Sequence, residues 1–234
     1  MRKLLISCIV VLVVNSAFAL DKKPIGEVDT DALTIDLQAE LMGTGDDHLA
    51  LVWWIPREFW DATVAQDSTL GEAERELVLN LFSSVSLLCV AQADIAEMGV
   101  CNYYSKEEIK NTMVVTYSDG AGEKSRLPLM ETIDPTLELM LSMLTPIFAG
   151  AMGNLGSNLH FYVLDDISQS PRRRLDPYLE GLITVTLSKR NGDQMNAVLE
   201  TPLNSLYIPR KCPNGKDAHV SWKYCPWTGV RLED

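Results

Sequence analysis

The groups with the most chemical reach in this chain are its sulfurs and imidazoles: five cysteines and three histidines in 234 residues. Two of them, Cys212 and Cys225, each open a Cys-Pro turn in the last segment, RKCPNGKDAHVSWKYCPWTGVRLED, with His219 between them. Thiolate and imidazole are the ligands zinc prefers, while thiols that meet in an oxidising compartment join as a disulfide. Structural zinc takes four ligands, and this segment offers only Cys212, His219 and Cys225. A metal site would therefore need a residue from the body, such as His48 or His160. Bridge, metal and free thiols all stay open. The ligand count and the oxidising compartment favour the bridge, with zinc as the alternative and no other cofactor. A short bridged loop contributes about 3 kcal/mol by loop entropy.

The residues around the pair resemble a zinc ribbon. In that family each knuckle reads Cys-Pro-x-Cys-Gly, and an aromatic-Lys-aromatic lead-in often precedes the second. Here the first knuckle is Cys212-Pro213-Asn214-Gly215 and the second is Cys225-Pro226-Trp227-Thr228-Gly229, preceded by Trp222-Lys223-Tyr224. Gly215 and Thr228 stand where the partner cysteines would be. The resemblance implies a small ribbon-like module over residues 209–234 whose two remaining cysteines converge. Small ribbons commonly serve as docking modules, which makes Trp222, Tyr224 and Trp227 the candidate partner contacts. The body, with LALVWWIPREFW and NLHFYVLDD, resembles uncharacterised exported bacterial proteins, which implies an exported globular domain and no particular mechanism.

Residues 1–19, MRKLLISCIVVLVVNSAFA, carry a basic start, an apolar run and an Ala-Phe-Ala end. That is the anatomy of a cleaved secretory signal, and the run is too short for a bilayer span of about 20 residues. An uncleaved anchor is the alternative. Cleavage after Ala19 leaves a chain without a transmembrane span, periplasmic or secreted. It removes Arg2 and Lys3 but no acid, so the formal charge moves from −12 to −14. A surface this acidic argues against non-specific binding to nucleic acid or to anionic lipid. Cys8 leaves with the signal. The remaining pair, Cys89 and Cys101, lies in SLLCVAQADIAEMGVCNYY, where a hairpin turning near Ile95 would bring them opposite each other. Two buried free thiols are the alternative.

The elements that must position these groups read as α+β: an antiparallel sheet with packed helices over residues 20–208, then the ribbon-like tail. Asp31–Met42 reads as an amphipathic helix ending at Gly43, HLALVWWIP as a buried strand, and REFWDATVAQD as a helix opened by Pro56. Ser68 or Thr69 is placed to cap the next helix, and SKEE at 105–108 fits a capping box. Asp134-Pro135 opens the longest helix, which Pro146 should kink or divide. Because Pro146, several glycines and His160 interrupt the uncharged stretch from Leu139 to Leu164, it reads as a core helix plus loop rather than a membrane span. EGLITVTLSKRNGDQMNAVLETP is the clearest hairpin, turning at Asn191-Gly192. The run Arg172–Arg174 reads as solvated loop, or as a dock for an acidic partner.

No nucleophile elbow, His-Glu-x-x-His, phosphate loop, dinucleotide fingerprint or Cys-x-x-Cys occurs. The expectation is therefore a non-enzymatic protein that docks another envelope protein. The rival is an enzyme or small-ligand protein with a pocket around Trp54, Asn158 and His160. A metal-binding role through Cys212, His219 and Cys225 is third.

Overall fold

The computed structural model describes residues 20–42, 47–83, 85–166 and 173–232. The expected signal, residues 1–19, lies outside them, as do Gly43 and Arg172.

The helices are α1 (Thr30–Asp36), α2 (Arg57–Gln66), α3 (Glu72–Phe82), α4 (Lys106–Thr112), α5 (Pro135–Met152) and α6 (Asn154–Ser157). The body strands are β1 (Gln38–Met42), β2 (His48–Ile55), β3 (Ser86–Ile95), β4 (Cys101–Tyr103), β5 (Val114–Asp119), β6 (Lys124–Arg126), β7 (His160–Leu164), β8 (Gly181–Ser188) and β9 (Gln194–Thr201). In the tail, β10 (Arg210–Lys211) pairs β11 (Asp217–Ala218). The fold is α+β, and all of its ladders are antiparallel.

One sheet runs β1-β2-β3, and β4 and β7 share the far edge of β3. β7 takes Ser86 to Val90, and β4 takes Ala93 to Ile95. The second sheet runs β6-β5-β8-β9. Side chains alternate faces along a strand, so burial reports what covers each face. β2 and β3 are buried almost without interruption, because both faces of their sheet are covered. On one face Trp53 meets Phe59 of α2 and Phe148 of α5 edge-on, with ring centroids 5.5 and 5.6 Å apart. On the other face lies the second sheet: Gln92 donates to the Ser188 carbonyl at 3.0 Å, and β1 lies against β9. β8 and β9 alternate between buried and open positions, with Ile183, Val185, Leu187, Ala197 and Leu199 inward. The hairpin turns at Asn191-Gly192 as expected, with Gly192 at φ 92°. One core cluster joins both sheets and the helices, and Trp53, Trp54, Phe59 and Trp60 all pack in or against it.

Several local expectations need correction. The helix expected to run to Met42 stops at Asp36, because residues 38–42 pair with β2, Gln38 opposite Trp53 and Met42 opposite Leu49. Sheet pairing outweighs a marginal local helix signal. α3 is entered through Gly71, whose N–H donates to Glu74 at 2.8 Å, and neither Ser68 nor Thr69 caps it. At α4 the Ser105–Glu108 capping box forms as read. α5 runs unbroken through Pro146. Only its inner stripe is buried, starting with Leu137 and Leu141, while Leu139, Met143 and Ile147 form an exposed apolar ridge. By length and composition α5 could cross a bilayer, but its inner stripe packs on the core.

Candidate functional site

In the tail two tight turns repeat each other. The Gly215 N–H bonds the Cys212 carbonyl, the Gly229 N–H bonds the Cys225 carbonyl, each at 2.8 Å, and both glycines have positive φ. Each turn caps a short ladder, β10 with β11 and Tyr224 with Arg231. The turns face each other, so Cys212 and Cys225 are buried side by side with Ala218 and Leu232, and their thiols hydrogen-bond. Burial works to raise the Cys225 thiol. Hydrogen bonds from the Cys212 thiol, the Thr228 side chain and the N–H groups of Trp227 and Thr228 outweigh it and bring Cys225 down to about 7. Burial, then the bond to Cys225, pushes Cys212 up to about 11.

His219 does not join them. Its Nδ1 lies 2.8 Å from Ser221 Oγ, and among the described residues no three His, Cys, Asp or Glu side chains converge as metal ligands would. The expected aromatic trio divides. Tyr224 and Trp227 stand 60% and 49% exposed, whereas Trp222 is half-buried and meets Trp227 edge-on at 5.6 Å. Lys216 Nζ sits 4.8 Å above the Trp227 ring.

The pairing of Cys89 with Cys101 is overturned. Ile95 is still in strand, and the chain reverses only at 97–99, where Met98 and Gly99 take positive φ. That puts Cys101 opposite Ile95. Cys89 lies six residues back along β3, about 20 Å away at strand rise and far beyond disulfide reach. Cys89 is enclosed between Trp53 and Phe161 on the neighbouring strands, and burial drives its thiol well up; Cys101 is exposed.

The pocket around Trp54, Asn158 and His160 is also overturned. Trp54 is wholly buried in β2, opposite Leu88. The Asn158 amide turns back to the Asn154 carbonyl at 2.8 Å. His160 bonds the Tyr104 carbonyl at 3.2 Å, and burial lowers its pKa. None of the described cavities is lined by any of the three. Of the arginine run, the two described residues are engaged within the chain. Arg173 joins Glu58 at 3.1 Å and Asp166 at 3.6 Å, and Arg174 donates to the Asp165 carbonyl at 2.7 Å.

Two features escaped sequence reasoning. One is a polar knot between the sheets. His48, fully buried, contacts Asp94 Oδ1 through Nδ1 at 2.9 Å and the Gln92 amide nitrogen through Nε2 at 3.2 Å. Since that amide also donates to Ser188, Nε2 must accept and Nδ1 carries the proton. Tyr104 donates to the same Asp94 oxygen, and Arg190 lies over its ring while bonding Asp94 and Glu108. Apart from the Gln92 side-chain oxygen, which is buried without a partner among the described residues, the donors and acceptors named here satisfy one another, as those of a structural network do.

The other is a cavity of about 560 Å³ where the tail folds over the open face of the second sheet. Ser118, Leu182 and Glu200 form one cross-strand row of β5, β8 and β9, and they line it together with Glu180, Trp222 and Lys223. Only strand register and the tail's return bring these residues together, so no spacing in the sequence announces them. A second cavity, of about 620 Å³, lies by α2 and α3; Arg57 pairs with Asp61 and Arg173 with Glu58 there, while Arg75 donates to the Leu70 and Val64 carbonyls. The chain matches no known protein family, no curated protein and no solved structure.

Proposed function

We propose that this is an exported, periplasmic, non-enzymatic protein that docks another envelope protein through its C-terminal module. The observation that carries the reading is the presentation of Tyr224 and Trp227. Both are largely exposed on a module of fewer than thirty residues whose two turns are locked in register. Large aromatics left in water on a rigid support are the usual anchors of protein interfaces. Export is supported by residues 1–19 and by the juxtaposed thiols, which an oxidising compartment joins as a Cys212–Cys225 bridge.

The experiment is in-cell photocrosslinking from a reactive analogue at position 227, with fractionation and N-terminal sequencing of the product. The expected result is one discrete heterodimer band in the periplasmic fraction, with a chain that begins at Leu20. Tyr224→Ser should weaken the band by about tenfold or more, as loss of an aromatic hot spot does. A chain confined to the cytosol, or a position 227 that crosslinks to nothing, overturns the reading.

A further inference from the structure

We propose that the cavity between the tail and the second sheet is a binding site for a short peptide with free ends, its amino group at Glu180 and Glu200 and its carboxylate at Lys223. The cavity lies within the size range of small-molecule sites. Leu182 lies at the centre of the cross-strand row, between Ser118 and Glu200, and Trp222 stands as one wall. Gly181, next in the strand, faces the core, where a Cβ would come within 2.5 Å of the Tyr117 ring. Leu182 beside a half-buried tryptophan suits a ligand with one apolar side chain.

The charges divide into those already used and those left over. Asp119 spends its carboxylate on the N–H groups of Ala121 and Glu123. Arg210 donates to the carbonyls of Val220 and Trp222, bonds internal to the tail. Glu180, Glu200 and Lys223 line the cavity without an ion pair or side-chain hydrogen bond to any described residue. Two carboxylates and one ammonium, all exposed and lining one cavity, complement a ligand with a cationic end and an anionic end. The excess of acid there, in a chain of formal charge −12, favours the amino end. A neutral sugar would leave all three charges unanswered, and a free anion would meet net repulsion.

The site is independent of the docking surface, because Tyr224 and Trp227 do not line it. The test is titration of the full chain with the tripeptide Gly-Leu-Gly, its N-acetyl form and its C-terminal amide, followed by calorimetry and by amide NMR shifts at Leu182, Thr201 and Trp222. The free tripeptide should bind. N-acetylation, or the double variant Glu180→Gln/Glu200→Gln, should weaken it by about tenfold, the loss of one charge-assisted contact. In Lys223→Met the free acid and the amide should bind alike. Thermal unfolding of each variant checks that it is folded. No binding to the folded wild-type chain overturns the proposal, as does binding indifferent to both acetylation and the double variant. Tyr224→Ser should leave peptide binding unchanged, which separates this site from the docking surface.

Discussion

Cys225 shows how little sequence distance matters once two turns face each other. Its thiol lies against that of Cys212 and receives backbone N–H groups that favour the thiolate. A thiolate with a pKa near ambient pH is well placed for exchange with a disulfide. On the proposal of export, the protein recovered from cells should therefore weigh less than its reduced form by two thiol hydrogens. Alkylation of the denatured, unreduced chain should label Cys89 and Cys101 alone, and Cys212→Ser should cost about 3 kcal/mol in urea unfolding. Glu108 supplies a pH dependence. The Ser105 N–H, then Arg190 and the Ser105 hydroxyl, hold its carboxyl at about 2. A carboxylate depressed in the folded state stabilises above its unfolded value of about 4.3, and that contribution fades as pH falls towards 2. Arg190→Ala should lower the urea midpoint at pH 7 and narrow the gap to wild type at pH 2. The tail's cysteine pair was legible because a Cys-Pro turn with a glycine close behind it stands at each sulfur. The Cys89–Cys101 pairing misled because the actual reversal needs Met98, an ordinary residue, at φ 66°, and nothing local announces that.

Elements follow the same division. Where one face of a strand is open, as in β8 and β9, the period of two is written in the sequence and the hairpin could be read outright. Where both faces are covered, as in β2 and β3, the apolar run marks burial but leaves partners and turn positions unspecified. α1 and β1 show the limit: only contact with β2 decides that residues 38–42 extend. Close approach between elements is equally silent. Gly156 of α6 lies so near the end of α5 that a Cβ there would come within 1.9 Å of the Phe148 carbonyl oxygen. Gly156→Ala should therefore destabilise by about 1–3 kcal/mol, the range for overpacking. Ile183→Ala, which empties a wholly buried position of the second sheet, should cost about 2–5 kcal/mol. Urea unfolding of the two variants separates strain from cavity, since the cavity variant should recover most with a bulkier apolar side chain and the strained one should not.

At the scale of the molecule, helices cover one face of the first sheet and the second sheet covers the other, leaving the outer face of the second sheet for the tail to fold over. Composition and patterning foretold an α+β fold. They did not foretell the cavity, which exists only because the tail returns against β8 and β9. The returning chain also fastens the leading one. The Ile208 N–H bonds the Asp21 carbonyl, the Lys23 N–H bonds the Leu206 carbonyl, each at 2.9 Å, and Lys22 bridges to Tyr207. Opening there is a shared event: a fluctuation that peels away residues 20–23 also strips residues 206–208 of their partners. The amides of Lys23 and Ile208 should accordingly exchange with deuterium at one common rate, although they lie far apart in the chain.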